Sequence, residues 1–142
     1  MAVLEMEVRG PIRHVKLNRP EKRNALNPEM IRLLKEAFAT PPEKGERLAL
    51  VEAEGPVFCA GIDLKERDPS AAGIKPFEEA LHAMETYPLP VVGVVQGHAI
   101  AGGNEIALLF DLVFASTAEK FGMSPVQFGL APSLFLCKKL ME

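Results

Sequence analysis

Pro90-Val91-Val92-Gly93-Val94-Val95-Gln96-Gly97-His98-Ala99-Ile100-Ala101-Gly102-Gly103-Asn104-Glu105-Ile106 is the stretch that decides the fold. Val91 to Val95 has no polar side chain, which reads as a strand with apolar residues on both faces. Gln96 to Gly103 is a loop carrying Gly97, Gly102 and Gly103. A helix is expected from Gly103 to Phe110, with Ile106, Leu109 and Phe110 inward. Asp111 to Ala115 reads as the next strand.

Working outward, the same pattern recurs. Leu4, Met6 and Val8 alternate with polar residues, Arg9-Gly10-Pro11 is a turn, and Val15 and Leu17 share one face of a second strand. Asn27 is placed to cap a helix with Pro28 at its first position. Met30, Leu33, Leu34, Ala37 and Phe38 give that helix one apolar face, and Thr40-Pro41-Pro42 ends it. Leu48 to Ala53 reads as a buried strand, Asp68 to Gly73 as a loop, and Phe77, Ala80, Leu81 and Met84 as a second amphipathic helix. Strands alternating with helices define an α/β class with parallel pairing. Leu134, Leu136, Cys137 and Leu140 suggest a further helix still running at Glu142.

The bulk numbers narrow the function. The 142 residues are 48% hydrophobic and 25% charged, with a net charge of −3 and no basic run. That argues against a nucleic-acid surface, although local basic groups suit a phosphorylated small molecule. No apolar run reaches the roughly 20 residues of a membrane helix. No basic start leads into an apolar stretch, so no signal or transit peptide is expected. Cys59 and Cys137 are far apart and form no CxxC pattern. A reduced, cytoplasmic setting without disulfide framework or metal site is the expectation.

Two segments carry candidate chemistry: Phe58-Cys59-Ala60-Gly61-Ile62-Asp63-Leu64 and Gly97-His98-Ala99-Ile100-Ala101-Gly102-Gly103-Asn104-Glu105. Each places glycine where backbone approaches something closely or adopts positive φ. The second opens a helix, whose first N–H groups lack internal partners and suit an oxyanion. Glu105, one turn after Gly102, would lie beside the same pocket. A turn of this kind also occurs as a structural or phosphate-binding element. The absence of a GKS or GKT ending disfavours a P-loop, and the glycine spacing fails the dinucleotide fingerprint. His98, His14, His82, Cys59 and Asp111 read as packing, surface or junction residues, and Asp63 as a loop organiser.

Asn18-Arg19-Pro20-Glu21-Lys22-Arg23-Asn24-Ala25-Leu26, the two glycine segments, and Phe121-Gly122-Met123 with Gly129-Leu130-Ala131-Pro132 together resemble the enoyl-CoA hydratase/isomerase (crotonase) superfamily. The resemblance runs from Leu4 to Pro132. It implies a crotonase-like spiral of repeated strand–strand–helix units, with residues 1–142 forming a core domain whose C-terminal helical part is missing. It implies an acyl-CoA thioester as substrate, with coenzyme A part of that substrate and no separate cofactor. The amides of Ile62 and Gly102 would hold the thioester oxygen, and Glu105 matches the first catalytic glutamate. Arg23, Ala25, Leu26, Ala60, Gly61, Ile62, Asp63, Leu64, Lys65 and Gly102 would flank the acyl-CoA, with Lys22 and Arg23 toward its phosphates. A homo-oligomer, a trimer or a dimer of trimers, is implied for a full-length protein.

One departure bears on the reaction. The second carboxylate of the well-known hydratases would align with Pro125, which can neither give nor take a proton. Phe121 to Gln127 is similar to the methylmalonyl-CoA decarboxylase branch, yet Ile62 stands at that branch's His position and Pro132 near its Tyr position. Enoyl-CoA hydration or isomerisation is the expected activity. The alternatives are decarboxylation of a malonyl-type CoA ester and a truncated CoA-binding module without turnover.

Overall fold

The computed structural model describes residues 2–69, 74–115 and the backbone of 121–122. β1 (Leu4–Arg9) and β2 (Ile12–Leu17) form an antiparallel hairpin. α1 (Pro28–Ala39), β3 (Leu48–Ala53), α2 (Lys75–Glu85) and β4 (Val91–Val95) follow. Then come a short β5 (Ala99–Ile100), α3 (Gly102–Ala107), β6 (Leu112–Ala115) and β7 (Phe121–Gly122). The main sheet runs β1-β2-β3-β4-β6, and every pairing from β2 onward is parallel. β5 and β7 form a separate parallel pair.

Local chemistry explains the helices. The Asn27 side chain accepts a hydrogen bond from Met30 N at 2.9 Å, and Pro28 fills the first helical position. Met30, Ile31, Leu34, Ala37 and Phe38 of α1 are buried. Ile31 takes the inward place expected of Leu33, which is only partly covered. In α2 the buried set is Phe77, Ala80, Leu81 and Met84, as the periodicity requires. The two helices pack on each other, and together with Val15, Leu17 and Val51 of the sheet their apolar faces build the core.

The third βα unit differs in detail from the sequence reading. Gln96 to Gly103 is not all loop, because Ala99 and Ile100 pair with β7. α3 begins at Gly102 and ends at Ala107, short of Phe110. Leu109 N and Phe110 N bond back three residues, to Ile106 O and Ala107 O, so the chain tightens after α3 without unwinding. Ile106, Leu109 and Phe110 nevertheless face inward as expected. Asp111 joins the units: its N–H bonds Val91 O at 2.7 Å, and its carboxylate accepts from Val91 N at 2.7 Å. β6 is exposed along its whole length despite Leu112, Val113 and Phe114. Gly129 to Pro132, Pro125, the helix expected at Leu134 to Leu140, and most of the Asp68 to Gly73 loop tip lie outside the described residues.

Arg13 was not expected inside, yet it shares the buried face of β2 with Val15 and Leu17. Its guanidinium bonds both Glu46 oxygens, at 2.9 and 3.0 Å, and the carbonyls of Ala37, Thr40 and Pro41. The fixed fork of five donors matches these acceptors, which is how a charge is tolerated there. It ties the C-terminal end of α1 to the sheet.

Gly93 of β4 has no room for a side chain. A Cβ there would lie 2.0 Å from the Phe110 ring, which stands edge-on to Phe58 with centroids 6.0 Å apart. Gly93→Ala is therefore expected to destabilise by about 1–3 kcal/mol, through displacement of a ring already held on its other side. Thermal unfolding should show a clear fall in Tm.

Candidate active site

The site forms where three chain segments meet at the ends of β2, β3 and β4. The first is 19–26. Pro20–Lys22 is a single 3-10 turn, after which Arg23 and Asn24 both adopt left-handed φ of 54°. Asparagine tolerates that region and arginine less so, so the turn needs support. Asn24 provides it from a fully buried position. Its Oδ1 accepts from Arg19 N at 2.8 Å, and its Nδ2 donates to Glu54 O and Val57 O. Both donors and one acceptor site of the Asn24 side chain are thereby matched to loop backbone.

The second segment is 58–66. Phe58 N and Cys59 N both bond His98 O, Ile100 N bonds Cys59 O, and Ala60 N bonds Arg23 O. Leu26 N donates to Gly61 O at 2.7 Å, and Asp63 N donates to Leu26 O at 2.9 Å. Those last two bonds make a parallel bridge between Leu26 and Ile62. In such a bridge the residue in the middle uses neither its own N–H nor its own C=O toward the partner. No hydrogen bond from Ile62 N is found among the described residues.

The third segment is 99–105. Positive φ here falls on Ala101, at φ 51° and ψ −115°, and not on a glycine. This is costly backbone for a residue with a Cβ, on the order of 1–3 kcal/mol. Its glycines serve close approach instead. A Cβ on Gly103 would lie 2.3 Å from Cys59 O, and one on Gly97 2.0 Å from Pro56 O. A Cβ on Gly102 would lie 3.3 Å from Gly61 Cα and 3.4 Å from Ile62 N. Gly61, at φ 98°, is the positive-φ glycine of the first loop. Gly102 N, at the first position of α3, has no hydrogen bond among the described residues either. With only six residues in α3, its dipole is small, and the donor itself matters more.

Glu105 sits in that first turn, half-buried, with no side-chain partner found among the described residues. Burial first, and the negative charge of Glu78 on α2 second, raise its pKa to about 7. A carboxyl poised there gives and takes protons near neutrality. Glu78 was not singled out from the sequence, since nothing local links it to a residue on α3.

The residues expected around the substrate are brought together, with different exposures. Arg23, Ala60, Leu64 and Lys65 are exposed, and Ala25, Ile62 and Asp63 are partly covered. Leu26 and Gly61 are buried, and Leu26 N, Leu26 O and Gly61 O are already used in the bridge. Asp63 is committed elsewhere: it accepts from Arg19 Nη1 at 2.8 Å and from the amides of Lys65 and Glu66. The Arg19 hydrogen bond leads the interactions that hold Asp63 below the usual carboxylate range. Cys59 is fully buried, and that burial pushes its thiol up to about 12, which suits packing and not nucleophilic attack. Pro125 and Pro132 lie outside the described residues. Among the described residues no group of three His, Cys, Asp or Glu could hold a metal, and no helix is long and apolar enough to cross a membrane.

A spiral of βα units with two glycine loops meeting at the strand ends defines a class, and comparison with known proteins identifies it. A family model described as "Enoyl-CoA hydratase/isomerase" matches residues 7–141, and the chain belongs to that family. The enoyl-CoA isomerase/hydratase fer4 of Mycosarcoma maydis is 35% identical over 134 residues, covering 84% of this chain and 49% of that protein. An enoyl-CoA hydratase/carnithine racemase from Magnetospirillum magneticum superposes with a TM-score of 0.90 at 28% identity, covering 99% of this chain and 56% of that one. A putative enoyl-CoA hydratase from Thermobifida fusca, solved in complex with CoA, gives 0.86 at 29% identity, covering 99% and 59%. The chain spans about half the length of the curated relatives it matches.

The raised Glu105 pKa has a consequence for stability. The folded state binds the proton more tightly than the unfolded chain, so its stabilising contribution is complete below about pH 4.5 and is lost as pH rises through about 7. Glu105→Gln removes this dependence. The variant's Tm should exceed that of the parent by a margin that grows between those pH values and then levels off, corresponding to roughly 3 kcal/mol.

Proposed function

We propose that the protein processes an acyl-CoA thioester by stabilising an enolate-like anion. The observation that carries this reading is the approach of two main-chain donors without hydrogen bonds among the described residues, Ile62 N and Gly102 N, across a gap that a Cβ at 102 would crowd. A thioester oxygen placed between them gains charge as the adjacent carbon loses a proton or receives a nucleophile. Each such donor is worth about 2.7–4 kcal/mol in the transition state. The CoA complex of the Thermobifida fusca relative supports coenzyme A as the handle. Arg23, Ala25, Ala60, Leu64 and Lys65 would then flank it from the exposed sides of their two segments.

Glu105 is the proton-handling group of this reading. With a pKa near 7 it can take a proton from one carbon and return it to another, which is double-bond isomerisation with one carboxylate. Hydration needs a second group to orient water and complete the proton transfers, and by the family resemblance the usual one would align with Pro125. That same proline favours decarboxylation of a malonyl-type CoA ester as the second reading. There the breaking carbon–carboxylate bond leaves its electron pair on the enolate, CO2 departs, and a proton then adds to the carbon.

Crotonyl-CoA, a 3-enoyl-CoA and methylmalonyl-CoA, supplied separately to the purified chain, distinguish these outcomes by enoyl absorbance and CO2 release. Binding without turnover of any of them identifies a CoA-binding module instead. Where turnover is found, Glu105→Gln is expected to lower kcat about 10²–10⁴-fold with a much smaller change in KM. An unchanged kcat makes Glu105 a structural residue.

A further inference from the structure

Arg19 is the least expected charge in the site. Its side chain is only 8% exposed, in a segment otherwise read for its resemblance alone. Nη1 donates to Ala25 O at 2.9 Å and to Asp63 Oδ2 at 2.8 Å, and Nη2 pairs with Glu66. Ala25 and Asp63 are the neighbours of Leu26 and Ile62, the two residues of the bridge that turns Ile62 N–H outward. The guanidinium thus grips both sides of that bridge at once. Asp63 completes the grip by accepting from Lys65 N at 2.9 Å and Glu66 N at 3.2 Å, closing the turn that follows the donor. One cation faces two carboxylates, so no net positive charge is left for a phosphate.

We infer that Arg19 is a positioning residue that sets the direction of the Ile62 amide, acting through Ala25 and Asp63. This rests on the two-amide reading above and adds the group on which one of those amides depends. The guanidinium plane fixes the directions of the two Nη1 N–H groups that meet Ala25 O and Asp63 Oδ2 while Nη2 meets Glu66. A freely rotating ammonium on a flexible stem fixes none of these directions. Arg19→Lys keeps the charge and loses the fork. Asp63→Asn keeps an acceptor for the turn amides and loses the charge pair.

The test uses the full chain with butanoyl-CoA labelled with 13C at the thioester carbonyl, a saturated ester with no double bond to react. Its carbonyl stretch, read by difference infrared spectroscopy, falls in frequency in proportion to hydrogen bonding at the oxygen. Bound to the parent protein it should be downshifted. Arg19→Lys and Asp63→Asn should each lose at least half of that downshift while still binding the ester, with circular dichroism and Tm confirming the fold. Variants that retain the full downshift would show Arg19 to be a structural ion pair only. If Arg19→Lys does not fold, Asp63→Asn decides alone, and unfolding of both overturns the inference by making the cluster a support of the whole domain. A parent protein with no downshift sinks the two-amide reading itself, a result distinct from failure of the positioning role.

Discussion

Two isolated parallel bridges, Leu26 with Ile62 and Cys59 with Ala99, hold the loop at 58–66 between the other two segments of the site. Every structural feature around them serves that placement. A loop with positive-φ backbone at Gly61 has no sheet of its own to hold it, and its amides would otherwise seek water. Phe58, Cys59, Ala60 and Asp63 N–H are matched to neighbouring carbonyls, and Ile62 N, with no bond of its own among the described residues, has its direction set by its neighbours. The same economy of donors applies at Gly102, where the start of α3 leaves an amide without an acceptor among the described residues.

The rest of the structure supplies a rigid frame for this arrangement. Parallel pairing of β2, β3 and β4 brings their C-terminal ends to one side, which is where open α/β folds place ligands. Asp111 locks β4 to the chain entering β6, and the Gly93–Phe110–Phe58 contact connects the sheet interior to the start of the first glycine loop. The Arg13–Glu46 pair does comparable work at the opposite end of α1, with Tyr87 stacked near the guanidinium and bonded to Glu46. Against this frame stand features that cost stability. Ala101 is held in backbone that disfavours a side chain, and Glu105 is desolvated without a partner among the described residues. Local strain and a perturbed carboxyl concentrated at one loop are features that cluster at functional sites.

Much of this was legible in the linear sequence because it depends on short-range physics. Helix starts follow from a cap and a proline, as at Asn27-Pro28, and helix faces follow from spacing, as in Phe77, Ala80, Leu81 and Met84. The all-apolar run Val91 to Val95 announces a covered strand, though the equally apolar β6 is exposed, and glycine spacing marks where backbone must come close. The order of the motifs carried the family, and the family model and relatives agree with it. The short end of α3 escaped because its last turn tightens into three-residue hydrogen bonds while keeping the same residues inward, which a burial pattern does not distinguish.

What the sequence could not decide was which distant groups would meet. Arg19 lies 44 residues from Asp63 and 47 from Glu66, and Arg13 lies 33 from Glu46. Nothing local in the sequence names these partners, which parallel strand pairing brings alongside. The influence of Glu78 on Glu105 likewise exists only because α2 and α3 lie close in the folded chain. Residue type, capping and periodicity act within a turn or two and are written in the chain. Long-range charge pairing and the aim of an unbonded amide are properties of packing, and only the tertiary structure fixes them.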